Sequence, residues 1–575
     1  MNSATTWVPR GVASEFPEKY ILDDEEMARI NAMAHLHLGE AHEDLSEAQS
    51  EEESPKNDAG AGSNLSSKAD KDDDLKEYDL DHYDDEPEDV TGEPITMFPG
   101  LTNTEATYFR SAKKPEEGED GEKAQEPGDD DHYLQLPTEE DRLEEKKDQQ
   151  VYPTDNMILS TRTEDDISYL DVYIYDDGAG APDGSKEEDE DKLDPDVANG
   201  MIRGKSLYIH HDLMLPNFPL CVEWLSFRPM GSNDESNVGN FAAIGTLDPT
   251  VEIWNLDCLD KAFPDTILGE ATEEEAAHQG GKKRKGKKYQ QKHVKDRHVD
   301  AILSISHNKV FRNVLATTSA DTTVKLWDLT SCGVARSIDG LHHDKEVSSS
   351  QWFGNDSETD GSILLTGGYD SYCAVSDVRI NELEKMARYY QVGSSGEEVE
   401  AVSWAGKNSS CFYAGTDQGN VYYFDARNEK KPVWTLHAHD SGITALNSNG
   451  YIDTMLVTGA MGDKQLKLWK TTPTPSMVTS RDFGCGNVLT SSFAPDIEVA
   501  GDLVVGGSSP GLKMWDCFSN RYVRVSFKDE LRKLQKSARE EAKKAGIASR
   551  LARKYGDVFR EEVLEPEDEV EEEEE

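Results

Sequence analysis

Four side chains near the middle of this chain have types that could work together chemically: His298, Thr317, Asp321 and Trp327. Lining a cleft, a histidine, a carboxylate and a hydroxyl form a proton relay, because the carboxylate orients the imidazole and the imidazole accepts the hydroxyl proton. In a dry interior the same groups simply satisfy one another, with both ring nitrogens bonded and an indole N–H closing the line. Partial copies decide between these readings. Thr366 with Asp370, Asp248 with Trp254, and Asp463 with Trp469 repeat fragments of the set, as structural parts do and an active site does not. A structural tetrad is therefore expected, with no catalytic residues.

Other chemistry is equally sparse. The sequence has no phosphate-cradling glycine loop and no nucleophile elbow, and its glycine-rich LTGGYD (365–370) and VVGGSSPG (504–511) fall where turns need positive φ. Its seven cysteines are scattered, without a CxxC pair or a histidine at zinc-ligand spacing. No metal, cofactor or small-molecule substrate is expected, and the thiols suit a reducing compartment.

What remains is charge. The formal net charge is −55 over 575 residues, concentrated in acidic runs at 70–89, 116–145, 187–196 and 561–575. Such blocks repel themselves and bury too little apolar surface to offset chain entropy, so they are expected to be disordered. Two basic islands interrupt them. One is KKRKGKK, holding Lys282, Lys283, Arg284, Lys285, Lys287 and Lys288. The other is a C-terminal helical pattern, in which Leu531, Leu534, Ala538, Ala542 and Ala545 form a stripe among Arg532, Lys533, Lys536, Arg539, Lys543 and Lys544, continued by Arg550, Arg553 and Lys554. Such cations can lie along RNA phosphates, and the absence of paired aromatics argues against base-specific readout.

The elements that must position these groups are given by a repeat. An apolar strand ending in an aromatic and an acid recurs as VEIWNLD (251–257), VKLWDL (324–329), CAVSDV (373–378), VYYFDA (421–426), LKLWK (466–470) and LKMWDC (512–517). The key positions are Trp254, Trp327, Ser376, Phe424, Trp469 and Trp515, spaced 73, 49, 48, 45 and 46 residues apart. All but the first approach the roughly 40–45 residues of a four-stranded propeller blade. That first gap holds the basic insert at 268–296. An upstream copy at 156–177, with Tyr173 or Tyr175 at the aromatic place and an insert at 176–200, makes seven.

The expected fold is thus all-β, a seven-bladed WD40 β-propeller over 149–527. A mostly disordered acidic arm (1–148) precedes it, and a basic helix and acidic tail (528–575) follow. Within the arm, the segments 7–39 and 95–101 read as partner-docking motifs through Trp7, Phe16, Tyr20, Met27, Ile30 and Phe98. Part of the first is expected to be a helix that Asp23 can cap, with Glu26 three residues on. No leader and no membrane-spanning stretch is read at the N-terminus or beyond, so a soluble intracellular protein is expected.

Several phrases go beyond a generic WD repeat: WVPRG (7–11), FPEKYILDDEE (16–26), MFPGL (97–101), HHDLMLPNFPLCVEW (210–224), VEIWNLDCLDKAFPD (251–265), KPVWTLHAHDSGI (431–443) and NVLTSSFAPDIEVAG (487–501). Together with TSADTTVKLWDL (318–329) and LLTGGYDS (364–371), they resemble the periodic tryptophan protein 1 family. The resemblance implies a nucleolar scaffold of large (60S) ribosomal subunit assembly, bound to pre-60S particles and supporting pre-rRNA processing to 25S and 5.8S rRNA. Its implied partners are pre-rRNA, other assembly factors and ribosomal proteins, with the chain a monomer within the particle. Two other classes compete on sequence grounds. A chromatin protein could hold basic histone tails on the acidic runs, and a ubiquitin-ligase adaptor would need a docking domain that the sequence outside the repeats does not resemble.

Overall fold

The computed structural model describes residues 1–20, 146–178, 205–234, 236–270, 293–354, 360–393, 396–406, 409–428, 431–545, 549 and 551. Strands dominate, and their order follows from the alternation in the sequence. Among the described residues six antiparallel sheets have four strands each and a seventh has three, apart from a two-stranded pairing formed by the N-terminal arm. The innermost strands are Asn2–Val8, Pro219–Leu225, Ile302–His307, Val347–Trp352, Val399–Trp404, Ile443–Ser448 and Val488–Phe493. Each touches the next and the last touches the first, so the seven sheets close as blades of one ring. Radial closure leaves only short sheet edges exposed.

The recurring aromatic wedges the blades together. Trp254, Trp327, Phe424, Trp469 and Trp515 are all buried on the third strands, and each packs against the blade before its own: Trp254 beside Met157, Leu159 and Val172, Trp327 beside Phe227 and Ile253, and Trp515 beside Leu466 and Leu468. Removing such a ring to alanine costs about 3–5 kcal/mol in a well-packed core. Blade four departs from the pattern. There Ser376 takes the aromatic place, and its buried hydroxyl finds no hydrogen-bond partner.

Two boundaries differ from the sequence expectation. The inner strand of blade one is Asn2–Val8, from the segment read as an N-terminal arm, and it pairs with Asn156–Glu164 far downstream. Trp7 is thus not a partner-docking anchor. Its ring is buried, its indole N–H donates to the Ser492 carbonyl of blade seven at 2.9 Å, and it meets Tyr175 edge-on. The reason is topological: a ring closes by placing the two chain ends side by side, and a local pattern cannot show which distant strand a short segment will join. At the other end, the last strand is Lys513–Asp516, and residues expected to complete blade seven instead form helix α1 (Arg521–Ser526), followed by helix α2 (Lys528–Ala545).

Candidate interaction surfaces

The tetrad is assembled in blade three. Asp321 can only accept, so His298 Nδ1 donates to it at 2.9 Å; His298 Nε2 then accepts from the Thr317 hydroxyl at 2.7 Å, and the Trp327 indole N–H donates to that oxygen at 2.8 Å. Burial holds the His298 imidazole below its ordinary pKa, against the opposing Asp321 hydrogen bond, so the ring is neutral. With the ring sealed from solvent, no substrate can reach it.

Blade six repeats the geometry with His439 bonded to Asp463 and Thr458 at 2.9 Å each, and Trp469 donating to Thr458 at 2.9 Å. In blade four His342 meets Thr366 at 2.8 Å and Asp370 at 3.0 Å. The sequence reading missed His342 and His439. A usable signal existed, since His439 precedes its threonine by 19 residues, as His298 does.

Blade two departs from the expected pairing of Asp248 with Trp254. The Trp254 indole donates instead to Glu252 at 3.1 Å. Burial raises the Glu252 carboxyl to about 7, against that hydrogen bond. A raised carboxyl pKa means that the fold prefers the neutral acid, while the unfolded chain ionises near its ordinary 4.5. The stabilising contribution is complete below that lower value and is lost as pH climbs towards 7. Glu252→Gln keeps an acceptor for Trp254 and removes the ionisation. Its advantage over the parent in thermal melts should grow between pH 5.5 and 8 to about 3 kcal/mol, then level off, at roughly 1.4 kcal/mol per pKa unit; equal melts at both pH values would refute this.

All inner strands run in one direction, entering at one face of the ring and leaving at the other. The exit face carries the segment that follows the first inner strand and the helices that follow the last blade. Beyond Val8, Arg10 pairs with Asp177 at 2.8 Å and donates to Asn156 at 2.7 Å, while its backbone N–H donates to Asp496. Ser14 N–H donates to the Asp257 carboxylate, and Glu18–Lys19 adds a parallel pairing to Cys258–Leu259. Residues 9–20 therefore staple blades seven, one and two. Tyr20 is half-buried, with Lys261 5.9 Å from its ring centre, whereas Phe16 stays exposed beneath Lys146 at 4.7 Å. Met27, Ile30 and Phe98 lie outside the described residues.

Helix α2 is fixed to the same face. Leu531, Leu534 and Ala538 are buried with Ile497 and Ala500 of blade seven and with Tyr451 of blade six. Lys470 of blade six binds Glu530 at 3.0 Å, and Leu551 N–H donates to Glu498 at 2.9 Å. Arg532, Lys533, Lys536, Arg539, Lys543 and Lys544 point outward and are exposed. Arg550, Arg553 and Lys554, and the whole 282–288 island, lie outside the described residues. The entry face has the opposite character. Glu346, Glu398, Glu400 and Asp417 gather around Tyr369, whose hydroxyl donates to Glu400 at 3.2 Å. Burial, followed by these neighbours, raises the Glu400 carboxyl.

A closed ring of seven sheets, pinned by buried His–Thr–Asp–Trp lines and open to partners only at its surfaces, defines a WD-repeat propeller. The family model described as WD domain, G-beta repeat matches residues 289–328 and 430–470. Periodic tryptophan protein 1 of Saccharomyces cerevisiae is 54% identical over 96% of this chain and 94% of its own length. An uncharacterized WD repeat-containing protein of Schizosaccharomyces pombe is 35% identical over 92% and 91%. A ribosome biogenesis protein WDR12 homolog of Culex quinquefasciatus is 27% identical over 23% of this chain and 29% of its own. The chain belongs to the periodic tryptophan protein 1 family.

Proposed function

We propose that this chain is a non-catalytic scaffold of large (60S) ribosomal subunit assembly, acting in the nucleolus on pre-60S particles and supporting the pre-rRNA processing that yields 25S and 5.8S rRNA. The observation that carries the reading is the end-to-end match to periodic tryptophan protein 1. The propeller's chemistry supports it: the His298, His342 and His439 rings are buried in blade cores, each held between a threonine and an aspartate. A partial likeness to a protein named for ribosome biogenesis points the same way. In this reading pre-rRNA meets the basic groups at 282–288 and on α2, assembly factors and ribosomal proteins meet the ring faces, and the chain enters the particle as a monomer. The acidic entry face suits basic ribosomal proteins through charge complementarity.

Sucrose-gradient sedimentation of the tagged chain, combined with cross-linking to RNA in cells, tests this. Co-migration with large-subunit precursors and loss of mature large subunits on depletion are the expected results. Sedimentation with nucleosomes, or unchanged subunit levels after depletion, would overturn it.

A further inference from the structure

The exposed side of α2 has an order that its composition does not reveal. Lys528, Arg532, Lys536, Arg539 and Lys543 follow one another at steps of four, four, three and four residues. At 3.6 residues per turn these positions fall on one line along the helix, and at 1.5 Å per residue the row is about 22 Å long. All five side chains are exposed. The four acids of the helix stand off the line: Asp529 and Glu540 lie on its outer flank, Glu541 falls on the side opposite the row, and Glu530 is held by Lys470. The row is also rigid, because the adjoining stripe of Leu531, Leu534 and Ala538 is buried against blades six and seven.

Building on the proposed function, we infer that this row is a rail for the sugar–phosphate backbone of paired RNA. A straight, fixed line of cations complements a regular polyanion, whose helical backbone presents phosphates at constant spacing. A flexible single strand would lose entropy to follow the line, and α2 has no aromatic side chain on which its bases could stack. Recognition by phosphate contact alone is independent of sequence and depends steeply on salt. An acidic protein segment is the competing polyanion; the apolar stripe of α2 is already covered by the propeller, and the exposed apolar side chains near the row, Tyr522 and Val525, lie on α1 beyond its first cation.

The test uses the full chain with a generic 20-base-pair RNA duplex, an unstructured oligouridine of matching phosphate number, and a polyglutamate peptide. The parent should bind the duplex at least tenfold more tightly than oligouridine or polyglutamate. Replacing the five cations by glutamine should reduce the magnitude of the slope of log affinity against log salt by about 4, as expected when four to five phosphate contacts are lost. Lys533→Gln with Lys544→Gln, off the row, should leave that slope within about one unit, and unchanged melting of both variants excludes misfolding. Equal affinity for the duplex and either other probe, or an unaltered slope in the five-site variant, overturns the inference. Sedimentation of the five-site variant separates the two levels: a chain that fails these binding criteria yet still travels with large-subunit precursors refutes the rail and leaves the scaffold reading intact.

Discussion

Deleting residues 1–8 is expected to leave a chain that no longer melts cooperatively and is cut rapidly by protease within blade one. The strand Asn2–Val8 supplies the whole inner row of that blade and touches the inner strands of blades two and seven. Trp7 and Val8 are buried within it, Thr5 meets Thr490 across the seam at 2.9 Å, and Asn156 donates to the Val8 carbonyl. Trp7→Ala alone should cost about 3–5 kcal/mol through the cavity it leaves, and the orphaned Ser492 carbonyl adds a desolvation penalty. Loss of the entire strand compounds these costs with a lost ladder of backbone hydrogen bonds. Since the total stability of a domain is about 5–15 kcal/mol, the ring should open. A synthetic peptide of residues 1–20 added to the truncated chain should restore part of the melting transition, because the docking groove is otherwise complete. Cooperative melting of the truncated chain at the parent temperature would show that closure does not depend on this strand.

The contrast between that strand and the blades around it explains how much was readable beforehand. A blade's third strand announces itself locally: the alternating phrase recurs six times, five of them with the terminal aromatic, and the wedge between blades demands a large apolar ring at that place. VKLWDL and LKLWK could hardly be anything else. NSATTWV holds only one large aromatic and a valine, too few to mark a core strand, and its partner lies far along the chain. The same limit hid the seam's polar lock, where Tyr175 donates to Asp502 at 2.8 Å and Lys205 reaches Asp502 at 2.6 Å and Asp516 at 3.1 Å. For the surfaces, composition showed that α2 would be basic and amphipathic. Which side would face solvent depended on the propeller beneath it, and only the packed structure sets the cations in a row.

Removing the imidazole from the blade pins should have unequal costs, set by what each leaves behind. In blade three the Asp321 side chain is 5% exposed, so His298→Ala leaves a carboxylate shielded from water with only Thr323 and the Val299 N–H as donors, and takes away the acceptor of the Thr317 hydroxyl, which keeps only the Trp327 N–H. Losing one partner of such a buried pair costs about 3–5 kcal/mol. In blade six the matching Asp463 is 29% exposed and also holds Lys467 at 3.3 Å, so His439→Ala should cost clearly less. Blade four has a spare part: His343 Nδ1 lies 2.9 Å from the second oxygen of Asp370. His342→Ala should therefore be the mildest, and His342→Ala combined with His343→Ala should cost more than the two single changes summed, since only the double variant leaves Asp370 without either ring. Denaturant melts of the five variants, the single His343→Ala included, decide the matter. Identical losses at His298, His342 and His439 would mean that the hydrogen-bonded lines act independently of the exposure of their carboxylates, and additivity at His342 and His343 would remove the backup role assigned to His343.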